Sequence, residues 1–103
     1  MVQATPGAHR RPIRLLLVDD HQMVLDGLTA MLRPHGEAVQ IVAATTDPGE
    51  AHRLAVDLEP DVALLDIRMR AVTGFELCEQ LLRVCPELKV VLLTVYDDEQ
   101  YLF

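Results

Sequence analysis

The sequence predicts an α/β protein built on a doubly wound parallel sheet. Three observations carry that reading. Four short apolar runs alternate with three helical patterns, each run is continuous instead of alternating, and turn residues punctuate the joins. Continuous apolar strands are expected where helices cover both faces of a sheet. The order β-α-β-α-β-α-β with right-handed crossovers then gives a doubly wound sheet with strand order 2-1-3-4.

The elements follow in order. Residues 1–12, MVQATPGAHRRP, hold two prolines and a glycine with no period, and are expected to form a loose leader. From Ile13, IRLLLVD has strand length and strand chemistry. Residues 22–35 set Met23, Leu25, Leu28, Met31 and Leu32 at helical spacings, closed by Pro34 and Gly36. VQIVAAT, residues 39–45, returns to strand. Asp47 is placed to cap the second helix, Pro48 suits its first position, and Glu50 is placed to reach back. Ala51, Leu54, Ala55 and Leu58 form its stripe, and Pro60 ends it. DVALLD is the third strand. Gly74 precedes FELCEQLLRVC, with Phe75, Leu77, Cys78, Leu81 and Leu82 as the stripe, and Pro86 follows. KVVLLTV is the fourth strand, and DDEQYLF begins a further helix.

A chain of 103 residues, half of them hydrophobic, supports one small domain with a sizeable core and excludes a disordered protein. The formal net charge of −7 argues against a nucleic-acid surface, since Arg10, Arg11 and Arg14 form the only basic cluster. No apolar run is long enough for a membrane span, and residues 1–12 lack a signal peptide's apolar stretch, so a cytoplasmic location is expected. Cys78 and Cys85 lie seven apart on one helix, about 10 Å by helical rise. A disulfide needs Cα atoms within about 7 Å, so both read as small apolar fillers.

Ligands of open parallel sheets bind beyond the carboxyl ends of the strands. Strand one ends in Asp19 and Asp20, strand three in Asp66, strand four in Thr94. Three carboxylates in one shallow cleft repel one another, and a divalent cation relieves this. Oxygen ligands with room for water suit Mg²⁺ better than Ca²⁺. The bland reading is that Asp19 and Asp20 cap a helix and Asp66 begins a turn, which fits each acid alone better than all three together. DDHQMV after strand one is no glycine-rich phosphate loop. His21, with no partner at metal-ligand spacing among His9, His35 and His52, reads as a surface or helix-start residue, not a zinc ligand. No Ser is present and neither Cys follows a strand, which disfavours a nucleophilic hydrolase. A small phosphatase with paired aspartates is disfavoured because Asp19 and Asp20 are adjacent.

These four strand-end features, with VDDHQMVLDGL and VALLDIRM, resemble the receiver domain of bacterial two-component response regulators, in the NarL/FixJ (LuxR-type) branch. The resemblance runs from Ile13 to Phe103 and implies the flavodoxin-like receiver fold. It implies Asp66 as phosphoacceptor from a sensor histidine kinase. It also implies Mg²⁺ held by Asp20, Asp66 and the backbone carbonyl of Arg68, with Asp19 acting directly or through water. Thr94 would contact the phosphoryl group and move on activation, hydrolysis would reset the switch, and Arg68, Arg70 and Tyr96 lie where side chains tune it.

Two departures stand out. Where the family commonly has a proline after R-M, this chain has Arg70, which frees a backbone N–H and is expected to loosen the loop, or to attract phosphate. The family's fifth strand, which ends in a lysine, and its fifth helix do not follow Phe103, so residues 13–103 are expected to form a C-terminally truncated receiver. Strand four would then be an exposed apolar edge. A homodimer through that edge or by element swapping is expected in consequence. The alternative is a phosphorylation-independent interaction module whose function lies in strand four and DDEQYLF.

Overall fold

A computed structural model describes residues 11–94. Four parallel strands, β1 (Ile13–Val18), β2 (Val39–Thr45), β3 (Val62–Asp66) and β4 (Lys89–Leu93), lie in the order β2-β1-β3-β4. Helices α1 (Gln22–Leu32), α2 (Pro48–Leu58) and α3 (Gly74–Val84) connect them. The predicted architecture and strand order are observed; the helix expected in DDEQYLF lies outside the described residues.

Alternation along β1 explains its unbroken apolar run. Leu16 and Val18 point to the side covered by α2 and α3, where they pack with Ala51, Ala55, Leu65, Leu77 and Leu81. Leu15 and Leu17 point to the α1 side and meet Leu25, with Leu28 and Leu32 half-buried against them. The two covers are unequal. On the α1 side an apolar groove of about 310 Å³ remains between the helix and β4, lined by residues that include Leu15, Met31, Val62, Leu64 and Val91.

Four residues assigned to buried stripes are exposed instead. Met23 and Met31 are 84% and 69% exposed, and Phe75 and Leu82 are 58% and 38% exposed. At 3.6 residues per turn, Leu25, Leu28 and Leu32 define the contact line of α1, which Met23 faces away from and Met31 borders. Leu77 and Leu81 define that of α3, and Phe75 and Leu82 sit well round the cylinder from it.

The helix ends show how local chemistry sets each boundary. Pro34 converts the end of the first predicted helix into a short 3₁₀ turn, Arg33–His35. Asp47 caps α2 by accepting the Gly49 N–H at 2.9 Å. Glu50 does not reach back to the Asp47 backbone as expected. Its Oε1 accepts the Thr45 hydroxyl at 2.7 Å, and Thr45 Oγ1 in turn accepts the Asp47 N–H at 3.0 Å. The buried hydroxyl of Thr45 therefore relays between β2 and α2. At the other end, Glu59 takes a left-handed conformation, φ 49°, directly before Pro60.

Arg14 and Asp61 bind the amino-terminal edge of the sheet. Arg14 Nη1 donates to the Leu58 and Glu59 carbonyls at 2.6 and 3.0 Å, satisfying groups that α2 leaves open. Asp61 accepts the Arg14 N–H at 2.8 Å and pairs with the Arg11 guanidinium at 2.9 Å. The Arg14 N–H first, and then Arg11, hold the Asp61 carboxyl below its usual range against the opposing effect of burial. Two of the three arginines in the basic cluster are thus committed to internal contacts. Arg14→Ala should lower stability by about 1 kcal/mol, read as a lower urea midpoint at unchanged slope.

Candidate functional site

The carboxyl ends of β1 and β3 are adjacent, because β3 pairs directly with β1, with Val18 opposite Leu65. Asp19 follows β1 and Asp66 ends β3, so the register delivers both acids to one rim. Ligand atoms of Asp19, Asp20, His21 and Asp66 all lie within 4.8 Å of one another. The three predicted carboxylates therefore form one cluster. Asp19 is 4% exposed, Asp66 is 9% exposed, and the Asp20 carboxylate is 8% exposed.

Each carboxylate is held differently. Asp19 Oδ1 accepts the His21 backbone N–H at 2.9 Å. Asp66 Oδ1 accepts the Arg68 backbone N–H at 3.2 Å, which fixes the turn after β3. Asp20 Oδ2 accepts both the backbone N–H and the Nε–H of Arg70, at 3.0 and 3.2 Å. His21 Nδ1 lies 3.1 Å from Asp19 Oδ1 and 3.0 Å from Asp20 Oδ1. No aligned hydrogen bond reaches Asp20 Oδ1, a buried oxygen, among the described residues.

These surroundings push two of the acids in opposite directions. Burial raises the Asp66 carboxyl above its ordinary range; the Arg68 N–H opposes this, the negative charges of Asp19 and Asp20 add to it, and His21 offsets part. Burial also acts to raise Asp20, but the Arg70 N–H and guanidinium, with His21, outweigh it and hold Asp20 low.

The loop after β3 is built around close approach. Thr73 caps α3: its hydroxyl accepts the Glu76 N–H at 3.1 Å, and Glu76 Oε1 accepts the Thr73 N–H at 2.9 Å. This capping box was legible as T-x-x-E but was not part of the predicted helix start. Gly74 N–H donates to the Ile67 carbonyl at 2.8 Å. A Cβ on Gly74 would stand 2.5 Å from the Asp66 carbonyl oxygen, so only glycine fits here. Met69, 8% exposed, anchors the loop in the core.

The remaining predicted residues divide. Thr94 directly follows Leu93, the partner of Asp66 in the β3–β4 register, and is exposed at the same rim. Arg68 lies on the loop beside Asp66. The expectation of a loosened loop at Arg70 is corrected: the N–H freed by the missing proline bonds Asp20 and fastens the loop to the end of β1. His21, expected at the surface or helix start, is both 65% exposed and drawn into the cluster. Tyr96 lies outside the described residues.

Strand order 2-1-3-4 with an acidic rim at the ends of β1 and β3 defines a CheY-like receiver fold. Residues 15–103 match the response regulator receiver domain, and the chain belongs to that family. It is 37% identical to the transcriptional regulatory protein LiaR of Bacillus subtilis, over 88% of this chain and 43% of LiaR. It is 38% identical to the response regulator GacA of Pseudomonas aeruginosa, over 86% of this chain and 41% of GacA. A crystal structure of a LuxR-family response regulator from Aurantimonas superposes with a TM-score of 0.75 at 26% identity, covering 84% of this chain and 61% of that one. These relatives belong to the NarL/LuxR-type branch. The chain spans less than half the length of the curated relatives it matches. Among the described residues, no helix is long and apolar enough to cross a membrane.

Proposed function

We propose that Asp66 accepts a phosphoryl group from the phosphohistidine of a sensor kinase. An Asp66 carboxylate oxygen attacks phosphorus, the P–N bond breaks, and the electron pair returns to the kinase imidazole, leaving an acyl phosphate. The observation that carries this reading is the position of Asp66, at the strand end, with Asp19 and Asp20 gathered against it. Burial beside two like charges leaves Asp66 in need of a cation before it takes on more negative charge.

The cluster fits Mg²⁺. Three of its four residues offer carboxylate oxygens, and the buried Asp20 Oδ1 has no aligned hydrogen bond, only His21 Nδ1 at 3.0 Å, a contact that a hard cation would replace. Asp20, Asp66 and the Arg68 carbonyl would hold the ion, with Asp19 acting directly or through water. When bound, Mg²⁺ supplies neutralisation of charge on the transferred oxygens. The Arg68 N–H orients the Asp66 carboxylate. Thr94, one residue past the partner of Asp66, would donate its hydroxyl to a phosphoryl oxygen and bias a two-state surface. Hydrolysis would reset the switch. In the whole protein this would control transcription, as the name of LiaR suggests for that relative, from the cytoplasm.

Incubation with acetyl phosphate and Mg²⁺ should add one phosphoryl group by intact mass, and Asp66→Asn should abolish it. An unmodified wild-type chain would contradict the proposal.

A second reading is favoured by β4. Among the described residues it pairs only with β3, and Val91 is 50% exposed beside the apolar groove. Self-association through this edge, independent of phosphorylation, would cover it. Light scattering after size exclusion should show a dimer that Val91→Lys dissociates; a wild-type monomer counts against it.

A further inference from the structure

Arg70 occupies a position where the receiver pattern commonly has proline, which has no N–H to donate. In this chain both of its nearest donors converge on one atom. The backbone N–H and the Nε–H reach Asp20 Oδ2 at 3.0 and 3.2 Å. The other oxygen of the same carboxylate, Oδ1, is buried and without an aligned hydrogen bond. One oxygen of Asp20 is therefore taken by the Arg70 guanidinium, while the other faces the cluster of Asp19, Asp66 and His21, whose Nδ1 lies 3.0 Å from it. The guanidinium side chain is 85% exposed and the carboxylate 8% exposed. The Arg70 side chain is thus held by charge and hydrogen bonding, with little packing to confine it.

We propose that Arg70 is a built-in counter-ion that opposes Mg²⁺ at Asp20 and sets the metal affinity of this site. The inference rests on the function proposed above and deepens it. A guanidinium and a divalent cation sharing one carboxylate repel each other, and the repulsion lowers affinity for the ion that must come from solution. Exposure of the guanidinium screens this but does not remove it at moderate ionic strength. The backbone N–H acts differently. It is neutral and fixes the direction of the carboxylate, so the two contributions of Arg70 can be separated by substitution.

Arg70→Ala removes the charge and keeps the N–H, and should bind Mg²⁺ about three- to tenfold more tightly than wild type. Arg70→Lys keeps a cation and should stay within about twofold of wild type. Arg70→Pro also loses the N–H, and should bind less tightly than Arg70→Ala. The ratio between wild type and Arg70→Ala should contract toward one as salt is raised. Titration of the full chain with Mg²⁺, followed through backbone amide NMR shifts, reads these affinities without any phosphoryl transfer.

Equal affinities in wild type and Arg70→Ala, or weaker binding by Arg70→Ala, would overturn the inference. Absence of Mg²⁺ binding in every variant would overturn both this inference and the metal site proposed above. A chain that shows the expected ranking yet takes no phosphoryl group would overturn the phosphoryl reading alone.

Discussion

Gly74→Ala should destabilise the fold by about 3 kcal/mol, the largest loss expected from adding a methyl group at any of the described glycines. The added Cβ would lie 2.5 Å from the Asp66 carbonyl oxygen and 2.9 Å from Ile67 Cα. Both obstacles are backbone atoms, so no side chain can swing aside. They cannot yield easily either, because the Ile67 N–H donates to the Leu93 carbonyl at 3.0 Å across the sheet. The alternative is for α3 to retreat, which breaks the Gly74–Ile67 bond and lifts Leu77 and Leu81 out of the core. For a domain with a total stability on the order of 10 kcal/mol, the change is large. Urea denaturation should show a lower midpoint, and an unchanged midpoint would mean that the contact between α3 and β3 is softer than the geometry shows.

Asp66→Asn should do the opposite to stability while abolishing phosphoryl uptake. Its carboxylate is buried beside Asp19 and Asp20, and burial first, with those charges added, raises its pKa in the folded chain. Protonation of Asp66 therefore favours the fold. That contribution is complete below the ordinary carboxylate value of 3.8 and is lost as pH rises through the raised folded value. Asp20 works in the adjacent window. Its folded pKa is lowered, so its contribution is present above 3.8 and is lost as pH falls through the lowered value. Replacing Asp66 with a neutral isostere removes the first dependence and keeps the second. Thermal denaturation across about pH 4 to 7 should show Asp66→Asn gaining on wild type as pH rises. A constant difference would show that Asp66 is not perturbed by its neighbours. Added Mg²⁺ should narrow the gap at neutral pH by stabilising wild type.

The fold was legible where short-range chemistry and burial agree. Residues 39–45 were predicted as a strand with the bounds that β2 shows, and Asp47 and Pro48 marked the start of α2. Periodicity alone overstated the buried faces: Met23 and Phe75 are apolar and helical but point to solvent, because the contact line of a helix is set by the sheet beneath it. The acidic rim was legible from strand ends, since a parallel sheet brings those ends together whatever lies between. The bonds within it were not. Nothing in the sequence separation of Asp20 and Arg70 indicates that the N–H released by a missing proline would find that carboxylate. The position of His21 Nδ1 between Asp19 and Asp20 is likewise a matter of three-dimensional placement, hinted at only by adjacency.

The oxygen nucleophile proposed for this chain belongs to Asp66 and to no other acid of the cluster. Borohydride reduction after treatment with acetyl phosphate and Mg²⁺ converts an acyl phosphate to the corresponding alcohol, so a phosphorylated aspartate is read by peptide mass spectrometry as homoserine. Homoserine at position 66 alone is the predicted result. Homoserine at position 19 or 20, or a borohydride-stable phosphoryl group retained on Thr94, would contradict it.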